Sequence, residues 1–327
     1  MDFLLSDIHS DLASTVDAIL TKADMPTIIR AHAAGDPAAV TPVREQLAEA
    51  GICGLIIDDE HGGSGAGVTE LVVTAEQLGR HGMPGPIIES LAVAPKLLAD
   101  TGQHLRLGPI AEGTPVSCAI ETWQPNAADA QAADQVYLLA SGTLSVARIA
   151  STAASVDPAR TVSTVAVDTV LVENVDSPAG AVSAADLGAL ATAAYLLGLG
   201  QTMLTLAAEY AQSRKQFGRA IGSFQAVKHH LADVAIALEM ARPLVHAAAL
   251  GADGMVPANT NVLADISAAK VAAADAAYLA SRQALQVLGA IGYTAEHDLS
   301  LYLTKTRALV GAWGTPAQHR QRILNSL

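Results

Sequence analysis

Residues 214–234 read RKQFGRAIGSFQAVKHHLADV, and this stretch decides how the rest of the chain is read. It joins two long helical patterns, at about 186–212 and 223–250. Arg214, Lys215 and Arg219 put three basic residues within six positions, in a chain with only 19 Lys and Arg. Gly218 and Gly222 keep the backbone beside them open. Arginine offers a planar fork that fits phosphate oxygens in pairs, so the cluster suits an anion. Phe217 is placed to cover a flat ring. The alternative is a solvated basic turn, and spacing alone does not separate the two.

A second stretch lies further on, QVLGAIGYTAEHDLSLYLTKTRALVGAWGTPAQHRQRIL, residues 286–324. It follows a third long helical pattern at about 260–288 and holds two shorter ones, near 297–310 and 315–325. Gln286, Gly289 and Gly292 allow a close backbone approach, although spacing alone favours an ordinary helix end. Asp298 or Thr294 is expected to cap one short helix, and Gly314-Thr315 to end it and cap the next.

Towards the N-terminus, residues 1–105 also read helical, with Val, Leu and Ile at three- and four-residue spacing. Pro42 is expected to start one helix with Thr41 as its cap, and Gly51 to end it. DDEHGGSGAG, residues 58–67, reads as a turn-rich connector; it is neither G-x-G-x-x-G nor G-x-S-x-G. Pro84 and Pro86 break the next helix. Residues 106–180 change character. TPVSCAIE, DQVYLLAS and TVSTVAVDTVLVE are β-branched runs, predicting four to six short strands, with QPNAADAQAAD as loop. Helices, a small sheet and long helices in that order make an α+β fold, mostly α, with divisions at 1–105, 106–180 and 181–327.

Composition excludes several classes. The formal charge of −13, from 32 acidic and 19 basic residues, argues against binding nucleic acid or an anionic membrane. Two cysteines, Cys53 and Cys118, make no disulfide framework, so a cytoplasmic protein is expected. The 22 residues 187–208 carry no charge and are long enough to span a bilayer. Gln201, three threonines, three glycines and acidic flanks favour a buried bundle helix instead. His229 and His230 diverge on a helix, and no third ligand converges with them, so no metal site is expected.

The two quoted stretches together resemble the acyl-CoA dehydrogenases. The first resembles that family's R-K-x-F-G-x-x-I-x-x-F-Q-x-[VI]-x-x-x-L-A-D-M segment. QVLGAIGYTAEHDLSLYLTKTRAL resembles Q-x-x-G-G-x-G-Y-x-x-E followed by R-D-A. LAEAGICGLIIDDEHGGSGAG resembles the N-terminal L-A-E-x-G-x-x-G-x-x-x-P-E-E-Y-G-G-x-G. The resemblance implies an N-terminal helical domain, a central β domain and a C-terminal bundle. It also implies α,β-dehydrogenation of an acyl-CoA thioester, with a carboxylate taking the α-proton and FAD taking a hydride.

The chain departs from this pattern at the base. The glutamate of the family's Y-E-G-T motif is matched by Trp313, within Ala312-Trp313-Gly314-Thr315. The alternative base position, early in the helix after the β domain, is matched by Gly188 and Ala189, and the adjacent family arginine is missing. The segments that hold the isoalloxazine and the thioester, T-E-P-x-x-G-S-D and N-G-x-K-x-x-I-x-N, are replaced by AIETWQP and LLASGTLSVARIA. What remains is the part that one subunit lends to its neighbour's FAD. Carried over, these are Arg214 for the pyrophosphate, Gln216 and Phe217 on the adenosine side, Gln225, and Gln286, Val287, Leu288, Gly289 and Ala290, the last replacing a glycine.

The resemblance therefore points to the short, base-less subunit of actinobacterial steroid- and cholesterol-degrading acyl-CoA dehydrogenases, heterotetramers of two kinds of chain. A catalytic partner subunit, an acyl-CoA held mainly by that partner, and an electron-transferring flavoprotein are the expected partners. The alternatives are a structural or regulatory homologue binding no flavin, and a self-sufficient homo-oligomer using Glu209 or Glu296 as base.

Overall fold

A computed structural model describes residues 6–176 and 180–326. The N-terminal part holds α1 (Asp7–Lys22), α2 (Met25–Ala33), α3 (Thr41–Glu49), α4 (Val68–Arg80), α5 (Ala94–Asp100) and α6 (Leu107–Ala111). Helical structure thus continues past residue 105. Thr41 lies inside α3 rather than capping it; Val40 takes the cap position, and Pro42 sits in the first turn, where its missing N–H costs nothing. Before α5 the chain makes one π-helical turn, Glu89–Val93, in which the Ala94 N–H donates to the Glu89 carbonyl. Pro95 follows at once. Its ring cannot sit against the carbonyl four residues back, and the wider turn relieves that clash.

The sheet comprises β1 (Val116–Ile120), β2 (Ala127–Ala128), β3 (Gln135–Ala140), β4 (Thr143–Ala154) and β5 (Thr161–Val172), in the order β1-β3-β4-β5-β2. Only β1 and β3 are parallel. The stretch read as loop contributes β2 and a short 3-10 turn, Ala130–Ala132. β4 and β5 have twelve residues each, longer than the short strands expected. The turn between them is anchored to the C-terminal part by a buried ion pair, Asp157 to Lys305 at 3.1 Å.

The C-terminal part holds α7 (Ala184–Ser213), a small hairpin of β6 (Lys215–Gln216) and β7 (Arg219–Ala220), α8 (Gln225–Ala252), α9 (Val262–Leu288), α10 (Leu299–Leu309) and α11 (Pro316–Leu324). The segment 187–208 forms most of α7. Ser183 and Asp186 cap α7 reciprocally, and its first half is buried on all sides. α7 packs on α4, α8, α9 and α10, with α11 laid on α9. Both α7 and α8 are long and apolar enough to cross a membrane, and most of α7 is buried in the core. Asp298 takes the N-cap position of α10, but its side chain makes no capping hydrogen bond. The Leu299 N–H donates to His297 Nδ1 at 3.1 Å, and Asp298 pairs with Arg30 at 2.8 Å. Thr315 caps α11 as expected, with its side chain accepting from the Gln318 N–H.

α4 and α7 touch backbone to backbone. A Cβ added at Gly79 would lie 2.1 Å from the Tyr195 carbonyl oxygen, and one at Gly198 would lie 2.1 Å from that of Glu76. Asp253, just after α8, accepts from the Val68 and Thr69 N–H groups at 2.7 and 3.0 Å, capping α4 from another part of the chain. Arg242 of α8 pairs with Glu76 of α4 at 3.1 Å. These contacts join the N-terminal helices to the bundle.

Candidate functional site

Short connections make α7, α8 and α9 run alternately up and down. The C-terminus of α7, the N-terminus of α8 and the C-terminus of α9 therefore meet at one end of the bundle. That topology brings residues 214–225 and 286–290 to the same end, although some seventy positions separate them in sequence. Arg214, Gln216, Phe217, Gln225, Gln286 and Ala290 are all exposed there. Phe217 stands 91% exposed at φ +52° in the hairpin turn, edge-on to Phe224, and the Arg219 guanidinium lies 4.2 Å over the Phe224 ring. α8 begins after Phe224 with no side chain capping its first amides. A helix start with free N–H groups beside Arg214, Lys215 and Arg219 favours an anion. The Val287 and Leu288 side chains are buried in the core. Gly289 ends α9 at φ +63°.

The other predicted positions come together elsewhere. Trp313 is 1% exposed, and its ring lies against Gly188 of α7. A Cβ at Gly188 would sit 2.7 Å from the ring and 2.9 Å from Val93. Each polar group of Trp313 is bonded. Its backbone N–H donates to Gln124 Oε1 at 3.1 Å, its carbonyl accepts from His319 Nε2 at 3.0 Å, and its indole N–H donates to Glu89 Oε1 at 3.1 Å. With Nε2–H donating, His319 Nδ1 accepts from the Ser267 hydroxyl at 3.1 Å, which makes the ring neutral. Burial pushes its pKa down to about 4, in accord with that tautomer. Trp123 stacks on His319 with centroids 5.2 Å apart, and Arg322, paired with Asp186, lies over Trp123.

Glu89 is the functional candidate that the motif reading missed. It is 2% exposed on the π turn, and burial raises its carboxyl above the usual range, with Arg160 opposing. Its signal was a lone acid in an otherwise uncharged run, PIIESLAVAP. Glu209 and Glu296, the alternative bases, are exposed. Glu209 lies about 30 Å along α7 from Gly188. Among the described residues, no three His, Cys, Asp or Glu side chains gather as a metal site.

Residues 6–104 match the model of the acyl-CoA dehydrogenase N-terminal domain, and residues 180–327 that of the C-terminal domain. The chain is 30% identical over 318 residues to acyl-CoA dehydrogenase IpdE2 of Mycobacterium tuberculosis, covering 95% of both chains. This chain belongs to the acyl-CoA dehydrogenase family. It is also 30% identical over 312 residues to acyl-CoA dehydrogenase FadE34 of the same organism, covering 88% of this chain and 42% of FadE34. Among solved structures, a chain of the ChsE4–ChsE5 complex from M. tuberculosis superposes with a TM-score of 0.85 at 22% identity, over 100% of this chain and 98% of that one. The steroid ACAD Tcur3481–Tcur3483, as its G363A variant, gives 0.83 at 23%, over 98% and 97%. These structures share the helical, sheet and bundle arrangement, as the resemblance implied.

The exposed basic end of the bundle suits a pyrophosphate and an adenosine ring. The two positions that the resemblance assigned to the base hold Trp313 and Gly188, packed on each other.

Proposed function

We propose that this chain is the non-catalytic subunit of a heteromeric, FAD-dependent acyl-CoA dehydrogenase. In this reading it lends the pyrophosphate and adenosine half-site, Arg214, Gln216, Phe217, Gln225 and the backbone at 286–290, to the flavin of a catalytic partner. The carrying observation is a contrast within one chain: the exposed end keeps the residues that the resemblance carries over, with Ala290 in place of one glycine, while the two base positions are a glycine and a tryptophan packed on each other. FAD, when bound, supplies the hydride acceptor. This chain's part is to hold its anionic end through the Arg214 fork and the open start of α8. Similarity to IpdE2 along the whole chain supports the family reaction, and the two-chain ChsE4–ChsE5 complex supports a paired assembly. The steroid ACAD neighbour supports a steroid side-chain or ring-remnant CoA thioester as the assembly's substrate. A cytoplasmic location and an electron-transferring flavoprotein as oxidant complete the reading.

Arg214→Ala in the assembled complex tests it. Losing a charged hydrogen bond to phosphate costs about 1.5–3 kcal/mol, so FAD affinity falls about tenfold or more, read as flavin bound per complex. Unchanged flavin content would favour the second reading, a structural homologue whose bundle end touches no cofactor.

A further inference from the structure

We propose that the open cleft between α5, the β3–β4 turn and the start of α7 is a binding site for a largely apolar molecule that bears a hydroxyl and no negative charge. The site belongs to this chain alone and does not rest on the half-site reading. The cleft holds about 600 Å³, within the range of small-molecule sites. Leu97, Ile120, Leu139, Val182 and Ala185 make its apolar walls, with Trp123 among them. These walls are tied to one another without a ligand. Glu121 accepts from the Ser141 N–H at 2.9 Å and from the Ser141 hydroxyl at 3.3 Å, which joins the end of β1 to the β3–β4 turn. The Val175 N–H donates to the Gly142 carbonyl at 2.8 Å, and the reciprocal cap of Ser183 and Asp186 fixes the start of α7. A rim bonded in this way needs little further ordering to receive a ligand.

Charge decides the class of ligand. Four charged residues line the cleft: Lys96, Asp100, Glu121 and Asp176. The one cation is already engaged, because Lys96 pairs with Asp100 four residues on. Glu121 and Asp176 are exposed and, among the described residues, have no ion-pair partner. Two uncompensated carboxylates oppose a phosphate or carboxylate entering beside them. The bundle end carries the opposite sign, with Arg214, Lys215 and Arg219 exposed. The same two carboxylates are acceptors for a ligand hydroxyl, while the apolar walls favour an apolar body.

Pyrenemethanol and pyrenecarboxylate test it, since they share one ring body and differ in charge. Both are titrated into the full chain at low salt, by calorimetry and by quenching of tryptophan emission. Expected is saturable binding of the alcohol, with the carboxylate about tenfold weaker. Val182→Phe, which puts a ring into the cleft from a half-buried position, should abolish the binding. Glu121→Gln combined with Asp176→Asn should bring the carboxylate to within about threefold of the alcohol. No saturable binding of the alcohol, equal binding of the two probes by the parent, binding that survives Val182→Phe, or displacement of the alcohol by FAD or coenzyme A overturns the proposal. Should Val182→Phe fail to fold, the double variant at the two exposed positions decides, and unchanged discrimination overturns the site. None of these readouts measures flavin in the assembled complex. Failure here therefore leaves the half-site standing, and unchanged flavin in Arg214→Ala leaves the cleft site standing.

Discussion

At the residue scale, Glu89 is the position where chemistry and stability meet. Its carboxyl accepts from the Trp313 indole and is buried beside Cys118, whose thiol is likewise pushed up by burial. Because the folded-state pKa lies above the ordinary 4.5, the unfolded chain releases this proton first as pH rises. Stability from the neutral acid is therefore complete below pH 4.5 and is lost as pH climbs towards the folded value. Glu89→Gln keeps an acceptor for the indole and removes the titration. It should melt higher than the parent at about pH 8 and equally at about pH 4, in matched thermal scans. His319 works in the opposite sense. Its depressed pKa keeps the ring neutral above about 4, and it costs stability as pH falls from 6.5 towards that value.

At the scale of elements, the crossing of α4 and α7 sets the framework. Gly79 and Gly198 bring the two helices into backbone contact. Helix propensity alone predicts that Gly198→Ala stabilises by about 1 kcal/mol. The contact reverses the sign, because the methyl would meet the Glu76 carbonyl at 2.1 Å and the Arg80 nitrogen at 2.5 Å. Neither atom moves without displacing α4, so the variant should lose about 1–3 kcal/mol in urea denaturation. The β4–β5 hairpin is fixed in another way, by the Asp157–Lys305 pair at its tip; removing one partner would strand a buried charge.

At the scale of the whole molecule, the two ends of the cofactor separate. The proposed half-site lies on the exposed end of the bundle, whereas Trp313 is buried against Gly188. Purified alone, the chain should be colourless. Co-expressed with a catalytic partner, it should give a yellow heteromer with one flavin per pair of unlike chains, by visible spectrum and native mass. A yellow homo-oligomer from the single chain would overturn the subunit assignment.

Much of this was legible in the residues. The long helices at 184–213, 225–252 and 262–288 follow from apolar periodicity, because burying an apolar face drives helix formation wherever that face ends up. The basic cluster at 214–219 and the missing carboxylate at 313 are facts of single positions. What needed the tertiary structure were relations between distant positions. No spacing rule links Gly188 to Trp313, or Glu89 to both, because they meet only when α7, the π turn and the segment before α11 pack together. A local signal also failed where a distant group offered a better bond: the Asp298 side chain pairs with Arg30, and the Leu299 N–H bonds His297 instead. Local periodicity determined the elements; the packing of Trp313 on Gly188 and its bond to Glu89 were decided only by what each element found opposite it.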